Sequence, residues 1–228
     1  MGMAARMPMN MSRPRMSTDV LTLTQWLSPS FPVGAFAYSH GLETAIQSGA
    51  ITTADDLQTW LADVLENGSG RNDCILLQMA HASTAPEELK QINDTAMAFA
   101  ASKERLRETQ LQGAAFCQTV TAVWDQQTDD LTYPVAIGAA AARMGFDVTL
   151  TAQMYLHAFA SNLISAAVRA VPLGQTEGQA VLSALTPLCK KIALNTKDAT
   201  LDDLHSTAFL TDIAAMRHET LQLRIFRT

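Results

Sequence analysis

A chain of 228 residues can form one domain that buries roughly 70 to 75% of the surface its unfolded form exposes. Its formal net charge of -6 excludes sequence-independent binding to nucleic acid, which needs a basic field to displace counterions from phosphate. Hydrophobic residues make up 48% and charged residues 17%, so there is much apolar surface to hide, yet no uninterrupted stretch has membrane-spanning length.

Residues 1–16 carry Arg6, Arg13 and Arg15 among several Met and Pro, without the apolar centre of a secretory signal; they read as a disordered Met-rich leader before one helical domain over 17–228. Ser17 or Thr18 can cap a first short helix through Leu21, Leu23 and Trp26, and Pro29 and Pro32 stop it. A second helix is expected from Ala35 to Gln47. Thr53 with Asp56 opens a third in a capping-box pattern through Leu57, Leu61, Val64 and Leu65, ended by Gly68 and Gly70. A fourth covers Asp73 to Ala82, a fifth starts at Thr84, Pro86 and Glu87, and a sixth runs from Ser102 to Trp124.

Pro134 starts a seventh helix, Val135 to Arg143, whose Ile137-Gly138-Ala139-Ala140-Ala141-Ala142 run has so little bulk that another helix can approach closely. Thr149 caps a long eighth helix to Val171, interrupted as an apolar run by Gln153, His157, Asn162 and Arg169, and hence buried in protein rather than lipid. Pro172 and Gly174 break it. A ninth runs from Thr176 to Ala193 with a kink or break at Pro187, Asn195 to Ser206 reads as a loop, and Ala208 to Thr228 as a final helix with an apolar stripe through Ile213, Met216, Leu223 and Phe226. Strand-like alternation is nearly absent and no solenoid period or long linker is visible. The pattern is all-α: a single bundle-like domain of about nine to ten helices with a C-terminal tail able to dock.

Chemistry has few handles. Gly-x-Ser-x-Gly, Gly-x-x-x-x-Gly-Lys-Ser/Thr and Gly-x-Gly-x-x-Gly are all missing, so nucleophile elbow, phosphate cradle and dinucleotide fingerprint fail. Cys74, Cys117 and Cys189 lack Cys-x-x-Cys spacing and read as reduced, buried thiols of a cytoplasmic protein. Only His40 and Glu43 approach the i, i+3 pairing that metal ligands use on helices, and two ligands do not complete a site. A small helical enzyme, or a ligand-binding regulator, with a site near His40 and Glu43 is the alternative to a protein-binding role.

Two segments stand out. Ser28-Pro29-Ser30-Phe31-Pro32-Val33-Gly34-Ala35-Phe36-Ala37-Tyr38-Ser39-His40-Gly41-Leu42-Glu43 couples a proline-restricted backbone to large aromatic area, suiting it to a core plug or an interface anchor. Thr211 to Thr220, continuing to Leu223-Arg224-Ile225-Phe226-Arg227, ends on an aromatic flanked by arginines, residue types that make interface hot spots; it either docks on a partner or folds back on its own domain.

With Leu106-Arg107-Glu108, Tyr133-Pro134-Val135-Ala136 and Ser165 to Gln179, these segments make the chain similar to the urease accessory protein F family over about Leu21 to Thr228. The resemblance implies an all-helical, dimerising, chaperone-like adaptor, not an enzyme, that sits between the D-type (or H-type) accessory protein and the G-type GTPase while nickel is delivered to apo-urease. It implies no tightly bound cofactor, nickel being handled by the complex. Tyr38, Ser39, His40 and Glu43 match the family's Tyr-Ser-x-Gly-Leu-Glu stretch, and Arg217, His218, Glu219, Arg224 and Phe226 match its C-terminal positions. These nine are the expected partner-binding residues. Leu221-Gln222-Leu223 departs from the aromatic that relatives often carry before the arginine.

Overall fold

The computed structural model describes residues 15–228; the Met-rich leader, apart from Arg15 and Met16, lies outside them. Among the described residues there are ten α-helices and no strand. α1 (Arg15–Trp26) starts two residues before Ser17, a short 3-10 turn covers Ala35–Ala37, and α2 is only Leu42–Gln47. Then follow α3 (Ala54–Asn67), α4 (Ser69–Ala82), α5 (Pro86–Ala98), α6 (Lys103–Trp124), α7 (Tyr133–Met144), α8 (Val148–Ala170) and α9 (Gln175–Asn195). A second 3-10 turn at Leu201–Asp203 interrupts the expected loop, and α10 is Phe209–His218.

The start signals act largely as local chemistry requires. Thr53 Oγ1 accepts from the Asp56 amide at 3.2 Å while the Asp56 carboxylate accepts from the Thr53 amide at 3.0 Å, the reciprocal capping box that satisfies two orphan donors. Ser102 caps α6 through the Arg105 amide at 3.1 Å. For α8 the cap is Asp147, accepting from Leu150 at 2.7 Å, rather than Thr149, which sits inside the first turn.

Helix packing centres on α4, which contacts α3, α5, α7, α8 and α9. Its closest neighbour is α7, and the small-residue run explains the approach: a Cβ on Gly138 would lie 2.1 Å from the Leu77 carbonyl oxygen. Gly70 is not a terminator. It lies inside the first turn of α4, where a Cβ would meet Leu65 Cα at 2.8 Å, so its missing side chain lets α4 turn back against α3 immediately after Gly68. Pro187 neither breaks nor ends α9; the Ser183 carbonyl it deprives of an amide donor belongs to an exposed residue and can turn to water.

The core is densest around Trp26, fully buried, with Phe116 and Trp124 meeting it edge-on at 5.3 and 5.8 Å between ring centroids and Phe146 tilted at 5.4 Å. Phe31 joins this cluster, 5.6 Å from Phe116, so the first half of the proline-aromatic segment is a core plug. Cys74, Cys117 and Cys189 are free and buried. No helix among the described residues is long and apolar enough to cross a membrane.

Two expected helices are cut short, and the same contact cuts both. After the 3-10 turn the chain extends at Tyr38, then passes through left-handed His40 (φ 55°) and Gly41 (φ 76°) before α2. A Cβ on Gly41 would sit 2.4 Å from the Ala215 amide nitrogen, so this bend is the seat on which α10 rests. The tail leaves helical geometry after His218, turns through Leu221 and left-handed Leu223 (φ 63°), and runs back along residues 37–39. There the Arg227 amide donates to the Ala37 carbonyl at 2.8 Å and the Ser39 amide to the Thr228 carbonyl at 3.0 Å.

Candidate functional site

The two segments singled out in the sequence therefore meet one another within the same chain. Glu43, at the start of α2 and 2% exposed, is the pivot: its carboxylate accepts from the Ile225 amide at 2.7 Å, the Phe226 amide at 3.0 Å and His218 Nε2 at 3.0 Å. Burial pushes its pKa up, but the hydrogen bonds from Ile225, His218 and Phe226 outweigh burial and hold it below the usual carboxylate range. His218 is fully buried, with Nδ1 2.7 Å from Glu104 Oε2 of α6. Arg224 closes this set by ion-pairing with Glu104 and donating to the His218 carbonyl at 3.4 Å.

A second set lies behind it. Glu108 of α6, 3% exposed, pairs with Arg105 one turn earlier, accepts from Thr228 Oγ1 at 3.0 Å and Gln112 Nε2 at 3.0 Å, and lies 2.8 Å from His40 Nε2. Against the upward push of burial, the charges of Arg105 and His40 and their hydrogen bonds bring Glu108 down to about 2. His40 is held below the ordinary imidazole range by burial first and by Arg105 second, which together overcome the pull of Glu108. Nε2 of His40 faces both Glu108 Oε1 at 2.8 Å, which only accepts, and Arg105 Nη1 at 2.5 Å, which only donates, while Nδ1 is buried without a partner. Deeper still, Tyr155 donates to Asp73 at 2.8 Å, and burial raises Asp73 to about 6.

The nine expected residues thus divide. Tyr38, Ser39, Glu43, His218 and Phe226 are buried in their own subunit, Glu219 and His40 are half-buried, and Arg217 and Arg224 face outward. Phe226 lies under Arg169, whose guanidinium carbon is 4.8 Å from the ring centroid and whose Nη2 donates to the Phe36 carbonyl at 2.8 Å. Glu219 accepts from the Lys103 amide at 2.8 Å, pinning the end of α10 to the start of α6. His40 and Glu43 do not form one site: His40 belongs with Glu108 and Arg105, Glu43 with His218 and the tail amides. Among the described residues no group of three or more His, Cys, Asp or Glu side chains is arranged to hold a metal ion.

Sequence reading passed over Glu104, Arg105, Asp73, Tyr155 and Thr228, and quoted Glu108 only as part of a motif. One signal was present. Ser102 caps the helix, so Glu104, Arg105 and Glu108 fall in its first two turns, and a carboxylate three residues after an arginine on a well-capped helix can pair with it.

The ionisable groups of this cluster are engaged with one another, and large apolar side chains left exposed nearby lie on α10 and the tail, with Phe36 and Leu111 beside them. That arrangement defines an all-helical protein of surfaces and internal clamps. Comparison with known proteins gives the family. The UreF family model matches residues 51–186. The urease accessory protein UreF of Ruegeria pomeroyi is 54% identical over 210 residues, covering 92% of this chain and 97% of the relative, and that of Roseobacter denitrificans is 54% identical over 223 residues, 97% and 100%. The protein of the same name from Jannaschia is 44% identical over 209 residues, 92% and 94%. The chain belongs to the UreF family of urease accessory proteins, which supports a role in urease maturation. The span 51–186 excludes all nine expected site residues, whereas the alignment with the Roseobacter protein runs over nearly the whole chain.

Proposed function

We propose that this chain is a cytoplasmic, chaperone-like adaptor, itself dimeric, that bridges the D-type (or H-type) accessory protein and the G-type GTPase while nickel is placed in apo-urease. It holds no cofactor tightly, and nickel is handled by the assembled complex. One observation carries the reading beyond family membership: α10 presents Phe209 (65% exposed), Leu210 (70%), Ile213 (42%) and Met216 (52%) at i, i+1, i+4 and i+7, one face of a helix whose other face is seated on Gly41. Contiguous apolar surface of this kind on a soluble protein marks a contact with another protein. Arg217, next to Met216, and Arg224, on the tail, are exposed, and the buried residues of the cluster hold the helix in place rather than touch the partner.

The test is a pull-down of the accessory proteins with Ile213→Asp and Met216→Asp, together with the nickel content of urease matured beside each variant. A charge at the centre of a buried apolar contact costs several kcal/mol, so recovery of at least one partner falls at least tenfold and urease nickel falls with it. Wild-type recovery of both partners with wild-type nickel loading would refute the role given to this face.

A further inference from the structure

From the clamp around His218, we infer that the tail after α10 is a proton-operated strap, docked when His218 carries both ring protons and released when it loses one.

The argument begins with hydrogen-bond roles. Nδ1 of His218 is 2.7 Å from a Glu104 oxygen and Nε2 is 3.0 Å from a Glu43 oxygen. Ionised carboxylates only accept, and a neutral imidazole has one N–H, so only the imidazolium serves both contacts. The ring is fully buried, hence no water can replace the donor lost on deprotonation; one carboxylate would then face a nitrogen lone pair.

The groups facing His218 come from each element packed on α10. Glu43 is on α2, Glu104 on α6, and Arg224 on the tail, pairing with Glu104 on the far side from the ring. Glu219 turns away to the Lys103 amide. Two carboxylates against one arginine leave room for one more positive charge, which the imidazolium supplies.

The same two carboxylates hold the tail. Glu43 takes the Ile225 and Phe226 amides, and Glu104 takes the Arg224 guanidinium. Losing the His218 proton leaves one N–H for two carboxylates, so one of the two anchors loses its donor and faces a ring lone pair. The tail is also held at a cost: Leu223 is left-handed at φ 63° and 94% exposed, and Ile225 is 67% exposed. What remains without the clamp is the two backbone hydrogen bonds to residues 37–39, the Ser39 and Thr228 hydroxyl contacts and the Phe226 ring under Arg169. Release would uncover Tyr38 and the Phe226 ring, so the surface beside α10 would change with pH.

Amide hydrogen exchange on the full chain tests this. Protection of the Ile225 and Phe226 amides, corrected for intrinsic exchange, is measured against the core amide of Leu77 across roughly pH 5 to 9, where imidazoles titrate. The expected result is a relative protection that falls at least tenfold as pH rises in the wild type and is low and flat in His218→Gln. In Glu104→Gln, which removes one of the two carboxylates without emptying the core, the fall is at least threefold smaller. If His218→Gln does not fold, as loss of Leu77 protection would show, Glu104→Gln decides alone. A ratio constant within twofold in the wild type, or a fall of equal size in a folded variant, would overturn the strap.

Discussion

Gly41 and Gly34 form a natural pair of experiments, because both are left-handed and only one is crowded. Gly34 has φ 70° and open space where a Cβ would go, while Gly41 has φ 76° and the backbone of Ala215 at 2.4 Å with Ala214 at 2.8 Å. Alanine at either position costs about 1 to 2 kcal/mol for holding a Cβ in left-handed geometry. At Gly41 the added carbon also overlaps main-chain atoms that belong to α10, so the helix must lift by roughly 1 Å to reach ordinary van der Waals distance. That shift pulls His218 from Glu43 and Glu104, and each buried hydrogen bond to a carboxylate that is lost costs about 1.5 to 3 kcal/mol. Urea unfolding is the assay, with protease cleavage of the tail read beside it because α10 can detach before the rest unfolds. The expected result is a loss of about 1 to 2 kcal/mol for Gly34→Ala with an intact tail. For Gly41→Ala the loss is at least 2 kcal/mol more, or the tail is cut at once. Equal destabilisation within about 0.5 kcal/mol and equal tail resistance would refute the seat.

Phe116→Ala removes a fully buried ring that meets both Trp26 and Phe31, and should cost about 3 to 5 kcal/mol in urea unfolding, whereas Val123→Ala, 60% exposed, should change stability by less than about 1 kcal/mol. Asp73, raised to about 6 from 3.8, binds a proton more tightly folded than unfolded; its contribution therefore destabilises the fold progressively as pH rises from about 4 to 6 and fully above that. Asp73→Asn keeps an acceptor for Tyr155 and removes the charge, so the variant should gain roughly 2 to 3 kcal/mol relative to wild type between pH 4 and pH 7, measured by urea unfolding at each pH. Glu108, brought down to about 2, has the opposite sign: its stabilisation is present above the unfolded carboxylate range and is lost as pH falls toward 2, so acid unfolding should begin at higher pH in Glu108→Gln.

What could be read from sequence was whatever depends on neighbours along the chain. The capping box at Thr53, the Ser102 cap, Pro86 in a first turn and the bulk-free face of Gly138 each follow from local chemistry and lie where that chemistry puts them. The misread boundaries share a different cause. Gly70, His40, Gly41 and the residues after His218 owe their conformation to something distant in sequence: Leu65 packed across a corner, Ala215 seated on a bend, and Glu43 capturing amides 182 and 183 residues away. A helix-period pattern from Ala35 to Gln47 is real, but two backbone hydrogen bonds to the tail and a close helix contact outweigh a marginal propensity over so short a segment.

The candidate site follows the same division, and this bears on how the proposed adaptor would work. Its residue types were visible because aromatics, arginines and a histidine are unusual together in a loop and a terminus; their roles were not, because Tyr38, Glu43, His218 and Phe226 spend their polar and apolar capacity on each other. A surface made only of such residues would be strong and permanent. Here the outward apolar face belongs to α10, while the groups beneath it form a clamp whose state decides how that helix and its tail are presented. On the proposed reading, partner binding at Ile213 and Met216 and clamp closure at His218 would be coupled through the position of one short helix. The coupling is reciprocal: a partner that binds only the seated form of α10 must also tighten the Ile225 and Phe226 amides, and a clamp that opens must weaken that partner by the same factor.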